Sequence, residues 1–186
     1  MFGWFKKTPP APSAREVLAE VMAAVLGHEA AVRALALHDD PQALRDVLAA
    51  QDEVPPWENA DSQPRDGEVA QTVFQALLKA EGLLVVIDWA ASGQELAADL
   101  QAMLARLALP PLSASEQAAF AKASASSARG DALSDTWPQW QAVAQARGRQ
   151  AMRQSTDEDA HHVLLLTPEA AERRRAARFA RGLPVL

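Results

Sequence analysis

Apolar residues recur at helical spacing through most of the chain, and short polar signals mark where the helices begin. Ser13, Ser92 and Ser113 are each followed three residues later by glutamate and then by apolar residues three and four positions apart. This is the capping-box pattern of a helix N-terminus. Asp40 before Pro41 is a second type of helix start. Helices are predicted at residues 13–26, 29–37, 41–50, 66–81, 92–107, 113–122, 136–150 and 168–181.

Two short apolar runs interrupt the helical pattern and predict strands. Residues 83–88, reading L-L-V-V-I-D, form a continuous β-favouring run that is typical of a strand covered on both faces. Residues 162–166 form a second such run, and a third strand at 183–186 is an open alternative. The predicted fold class is α+β, a helix-dominated domain with a small two- or three-stranded sheet covered by helices.

Proline-rich segments suggest how the chain is organised. Residues 1–12 read M-F-G-W-F-K-K-T-P-P-A-P, which predicts a flexible N-terminal arm ahead of a single domain over 13–186. Residues 52–66 contain three prolines and many acids and are predicted to be a long loop. Both a plain linker and a functional loop are open for this segment. A second, mobile loop is expected at 123–130.

Composition excludes several classes of function. The 186 residues contain no cysteine, so thiol nucleophiles, disulfides and cysteine-ligated metals are ruled out. The net charge of −6 argues against a dedicated nucleic-acid binder. The phosphate-binding loop, the dinucleotide fingerprint and the nucleophile elbow are all missing from the sequence, and we expect no cofactor. No apolar run approaches the roughly 18 residues of a membrane span, so a cytoplasmic protein is expected.

The end of the first strand and the start of the second contain the residues best suited to chemistry. Asp88 and Trp89 follow the strand at 83–88, where ligand crevices often form, although an aspartate there also stabilises a turn. His161 and His162 follow a run of acids, which suggests a metal site. Adjacent residues of a strand point to opposite faces, so we predict no shared metal and assign no catalytic residue.

Tryptophan and arginine supply the candidate contacts with other molecules. Aromatic residues near loops and helix starts often anchor partners, and they also often fill the margins of a core. The candidate binding residues are Trp57, Asp88, Trp89, Trp137 and Trp140. The arginines of the last predicted helix are expected to form a solvated face. They are Arg173, Arg174, Arg175, Arg178 and Arg181.

The strand L-V-V-I-D-W at 84–89 with its capped helix, and the later segment H-H-V-L-L-L-T-P-E-A-A-E at 161–172, resemble an uncharacterised bacterial family. The resemblance covers about the C-terminal two thirds of the chain. It implies an α+β fold and no particular activity.

Three functional hypotheses follow from these patterns. The first is a non-enzymatic cytoplasmic interaction protein, of an accessory or immunity type, that binds another protein through an acidic loop and exposed aromatics. The alternative is a small hydrolase or metal-dependent enzyme that uses Asp88 with His161 or His162. The third is weak contact of the N-terminal arm with a membrane surface, since one short aromatic and basic segment does not give stable anchoring. The arm residues concerned are Phe2, Trp4, Phe5, Lys6 and Lys7.

Overall fold

The computed structural model describes residues 12–58, 64–155 and 160–176. These residues form eight helices and one three-stranded antiparallel sheet and are 62% helical, which confirms the helix-dominated α+β class. The predicted strand at 183–186 and nearly all of the predicted arm at 1–12 lie outside the described residues.

Eleven elements follow one another in the described ranges. The helices are α1 (Ala14–Val25), α2 (His28–Asp39), α3 (Pro41–Ala49), α4 (Asp66–Ala80), α5 (Gly93–Arg106), α6 (Ala114–Ser124), α7 (Ala132–Ala146) and α8 (Pro168–Ala176). The strands are β1 (Leu84–Asp88), β2 (Gln150–Ser155) and β3 (Ala160–Leu166). Within these ranges, no helix has both the length and the apolar character needed to cross a membrane.

The predicted helix starts are confirmed at all three serines of the capping-box pattern. The hydroxyl oxygens of Ser13, Ser92 and Ser113 each accept from the backbone N–H three residues later, and the glutamate there bonds back to the serine N–H. The Asp40 carboxylate accepts from the N–H groups of Gln42 and Ala43 at the start of α3. These contacts satisfy N–H groups that have no partner inside the helix.

The sheet has the strand order β1-β3-β2, and both pairs are antiparallel. Leu84 lies opposite Leu164, and Leu164 lies opposite Met152, so these three side chains share one face. The neighbouring residues of β3 point to the other face. The central strand is buried from His162 to Leu166, whereas the two outer strands are partly exposed.

Each face of the sheet has its own hydrophobic core. Leu84, Leu164 and Leu166 pack with helices α1, α2, α3, α4 and α8 on one face. Val163 and Leu165 pack with α5, α6 and α7 on the other. The sheet is therefore the middle layer between two helical layers, and consecutive residues of β3 belong to different cores.

Three details of the sheet and its neighbours differ from the sequence prediction. The segment Gln150–Ser155 is a strand, whereas the sequence predicted a helix that ends at Gln150 and no element at 151–155. The preceding helix starts at Ala132, four residues before the predicted start, so that Pro138 lies inside the helix and not in its first turn. The strand at 84–88 is not covered on both faces, because Val86 is exposed.

Arg174 corrects the prediction of a solvated arginine face on the last helix. Arg173 is exposed, but Arg174 is buried, with its guanidinium 3.8 Å from the Met152 sulfur. Burial lowers the Arg174 pKa to about 10. This side chain therefore belongs to the interior between α8 and the sheet, while Arg178 and Arg181 lie outside the described residues.

Candidate functional site

A tight turn joins β1 to α5 and places Trp89 at its outer side. The Asp88 carboxylate accepts from the Ala90 N–H at 2.7 Å, and the Asp88 carbonyl accepts from the Ala91 N–H at 3.0 Å. The side chain of Ser92 then caps α5. The sequence forms this turn because a strand-ending aspartate bonds the N–H groups that follow it. Both Asp88 and Trp89 are exposed at the carboxyl end of the strand.

Trp89 is held in place by the loop between α6 and α7. The Trp89 side chain is 37% exposed, and the Arg129 guanidinium carbon lies 5.1 Å from the centre of its ring. A cation over the face of tryptophan is attracted by the ring electrons. Gly130, at φ +95°, lies so close that a Cβ there would be 2.9 Å from the ring carbon Cε3. The indole is therefore both exposed and fixed in orientation.

An acidic cavity of about 410 Å³ opens beside this turn. It is lined by Asp88, Ala90, Ala91, Glu95 and Asp99. Glu95 and Asp99 are four residues apart on α5, so both face the same side of the helix. Partial burial, with the nearby negative charge of Glu95, raises the pKa of the Asp99 carboxyl above its usual value. The hydrogen bonds from Ser92 lower the pKa of Glu95.

The two histidines of β3 do not line this cavity, and they lie on opposite faces of the sheet. His161 lies on the face of the α5–α7 core, with Nδ1 3.5 Å from the Arg153 guanidinium. His162 lies on the opposite face, with Nδ1 3.3 Å from the Gln75 amide nitrogen. Burial lowers the pKa of both imidazoles. Within the described residues, no group of three or more acidic or histidine side chains is arranged to hold a metal.

The other candidate tryptophans contribute to the cores. Trp140 is fully buried and its ring meets the Phe120 ring edge to face, with centroids 6.3 Å apart, so it does not reach a partner in this fold. Trp57 is half-buried against the core of α1–α4, and Trp137 is half-buried against the core of α5–α7. Of the four candidate tryptophans, Trp89 is the most exposed.

Ion pairs tie down the described part of the long acidic loop. Glu53 pairs with Lys79 of α4, and Glu58 lies 3.2 Å from Arg45 of α3. Pro55 between them is buried. These contacts fasten residues 52–58 to the helices, as expected for a structural connection between α3 and α4.

A second polar cluster lies where α1, α2 and α4 meet. The His38 Nε2 atom is 3.0 Å from the Asp66 carboxylate, and the Nδ1 atom is 3.2 Å from the Asp39 carboxylate. The Arg15 guanidinium donates two hydrogen bonds to the Asp39 carboxylate. These bonds hold the pKa of the Asp39 carboxyl well below its usual range. Both imidazole nitrogens face carboxylates, so this cluster fastens three helices together.

Sequence reasoning identified Asp88 and Trp89 but missed their neighbours. The spacing of Glu95 and Asp99 was a usable signal, because residues four apart on a predicted helix share a face. Arg129 is 40 residues beyond Trp89, and nothing local in the sequence links the two.

Comparisons of the chain with protein-family models, curated protein sequences and solved structures give no match. The resemblance to an uncharacterised bacterial family gains no support from them.

Proposed function

We propose that this chain is a non-enzymatic cytoplasmic protein, of an accessory or immunity type, that binds another protein. The contact is the Trp89 surface, which we define as Trp89, Arg129 and the cavity residues Asp88, Glu95 and Asp99. The observation that carries the proposal is the exposed indole held under a guanidinium at the end of β1.

The chemistry of this surface favours binding to a protein. Tryptophan and arginine are enriched among the residues that dominate interface energies. Gly130 and Arg129 fix the Trp89 ring before any partner arrives, which reduces the entropy lost on binding. The enzyme alternative needs Asp88 and a histidine in one pocket, and neither His161 nor His162 lines the cavity that contains Asp88.

Site-specific photo-crosslinking tests the proposal in the full chain. A benzophenone amino acid replaces the exposed Ala128, next to Arg129, and the control chain carries it at Val32, which is 54% exposed on α2. We expect one discrete adduct in native-host lysate from position 128 and none of that mass from position 32. The Trp89→Ala substitution should reduce the adduct at least tenfold. Equal adducts with and without Trp89 would count against the proposal, as would the lack of an adduct.

A further inference from the structure

The outer edge of β1 has backbone groups that point away from the sheet. The Leu165 N–H donates to the Leu83 carbonyl, so odd-numbered residues of β1 bond to β3. In an antiparallel pair the alternate residues then direct their N–H and C=O outward. These residues are Leu84 and Val86, together with the N–H of Asp88, whose carbonyl accepts from the Ala91 N–H in the turn. Within the part of the chain that the structure describes, no strand pairs with this edge and the backbone of Val86 makes no hydrogen bond on it.

The exposed part of this edge has few of the features that normally prevent strand pairing. Natural edge strands are protected by lysine, proline or a bulge. Residues 84–88 contain none of these three, and the only charge is Asp88 at the end of the strand. The Val86 side chain is 38% exposed, next to outward N–H and C=O groups. This combination favours the addition of another extended chain.

The cavity at the end of β1 indicates the charge of the chain that would add there. The cavity contains the carboxylates of Asp88, Glu95 and Asp99, and Asp88 is also the last residue of the strand. A strand advances roughly 3.3 Å per residue, so an added chain centred on Val86 reaches the cavity about two or three residues further on. A lysine or arginine at that position would meet three carboxylates.

We propose that an extended segment of the partner protein pairs with the edge of β1 as a fourth strand, with an apolar residue beside Val86 and a lysine or arginine in the acidic cavity. This inference rests on the proposed function and specifies how the partner binds. Strand addition gains affinity from main-chain hydrogen bonds and specificity from alternate side chains.

Hydrogen exchange in the free full-length chain provides the first test. The Val85 amide points to β3 and the Val86 amide points outward, so adjacent valines serve as matched probes. We expect Val86 to exchange at least a hundredfold faster than Val85 when followed by NMR. Equal protection of the two amides would show that the chain's own residues already occupy the edge, and would overturn the proposal.

Selection from a random nine-residue peptide library on the immobilised full chain provides the second test. We expect enrichment of peptides with alternating apolar residues and a lysine or arginine about two or three positions from the central one. The best peptide should bind Val86→Lys at least tenfold more weakly than wild type, and should bind the matched Val32→Lys variant normally. No enrichment, or equal binding to both variants, would overturn the proposal.

Two further controls distinguish strand pairing from non-specific binding. N-methylation of the peptide amide that faces Val86 should abolish binding, whereas N-methylation of the next amide should not, and equal effects would count against strand pairing. Glu95→Gln with Asp99→Asn should weaken binding tenfold. The charge-matched pair Glu20→Gln with Glu29→Gln should leave it unchanged, and equal losses in the two pairs would refute the role of the cavity.

The crosslinking experiment distinguishes failure of this inference from failure of the proposed function. If the adduct from position 128 depends on Trp89 but is unchanged by Val86→Lys, the partner binds without pairing to β1 and only the inference fails. If position 128 gives no adduct that depends on Trp89, the proposed function fails and the inference fails with it.

Discussion

Replacement of Arg147 by methionine should destabilise the protein more than any change at a surface ion pair. Arg147 follows α7, and its guanidinium makes five hydrogen bonds. Two join the Glu116 carboxylate of α6 at 2.8 and 3.0 Å, and two reach the carbonyls of Pro110 and Pro111, each at 2.7 Å. The last reaches the Val143 carbonyl at 3.1 Å. The arginine thus fastens the end of α7 to the start of α6.

The size of the effect follows from burial. The Arg147 side chain is 7% exposed and that of Glu116 is 26% exposed. Removal of one partner of a buried ion pair costs about 3–5 kcal/mol. Water still reaches part of Glu116, so we expect a loss near the lower end, about 3 kcal/mol. For a chain of this length, that corresponds to a decrease in Tm of about 6–12 °C.

Urea unfolding at pH 7, followed by far-UV circular dichroism, measures this loss. The matched control is Arg33→Met, because Arg33 lies 3.9 Å from Glu81 and both side chains are 52% exposed. That substitution should change the free energy of unfolding by less than about 0.5 kcal/mol. A loss below about 1 kcal/mol for Arg147→Met, or an equal loss in both variants, would refute this reasoning.

The same pair predicts a dependence of stability on pH. The hydrogen bonds from Arg147 lower the pKa of Glu116 from 4.5 to about 2 in the folded protein. Between these values the unfolded chain binds the proton more readily, so stability falls as pH falls from about 4.5 to 2. Allowing for solvent access, the pair should lose about 1–2 kcal/mol across this window. Glu116→Gln should remove that part of the slope, and an unchanged slope would contradict the prediction.

Substitutions at Trp140, Gly93 and Ser113 test the packing and one helix cap by urea unfolding. Trp140→Ala should cost about 3–5 kcal/mol, and Trp140→Phe clearly less, since the buried indole nitrogen has no hydrogen-bond partner among the described residues. Equal losses would contradict this. Gly93→Ala should cost about 1–3 kcal/mol, because its Cβ would lie 1.7 Å from the Ser124 hydroxyl oxygen, and Ser124→Gly in the same chain should restore part of the loss. If the losses in the free energy of unfolding from Gly93→Ala and Ser124→Gly simply add in the double variant, the two residues do not clash. Ser113→Ala should cost about 1 kcal/mol through loss of the cap of α6. An unchanged free energy of unfolding would show that this cap does not stabilise the protein.

Helix starts were predictable because their signals act within one turn. Ser13 and Ser92 bond to N–H groups only three residues away, so the sequence nearby determines the contact. The strand β2 was not predictable in this way. Its sequence Q-A-M-R-Q-S has only two adjacent apolar residues, and pairing with β3 makes it a strand. Tertiary contacts, and not the local sequence, therefore determine that β2 is a strand.

The candidate site shows the same division between local and distant information. The position of Trp89 just after a strand was visible in the sequence, and so was the capped helix after it. Its exposure was not, because Trp140 is also near a predicted helix start and is fully buried. The contact with Arg129 and the close approach of Gly130 depend on how the α6–α7 loop returns to β1.

The alternation of side chains along β3 has a consequence for how the protein unfolds. Leu164 belongs to the core with α4, and its neighbour Leu165 belongs to the core with α7. If either helical layer detached, it would expose every second residue of the same central strand. We therefore expect the two layers to unfold in one cooperative transition, because both pack on the same central strand from opposite sides of the sheet.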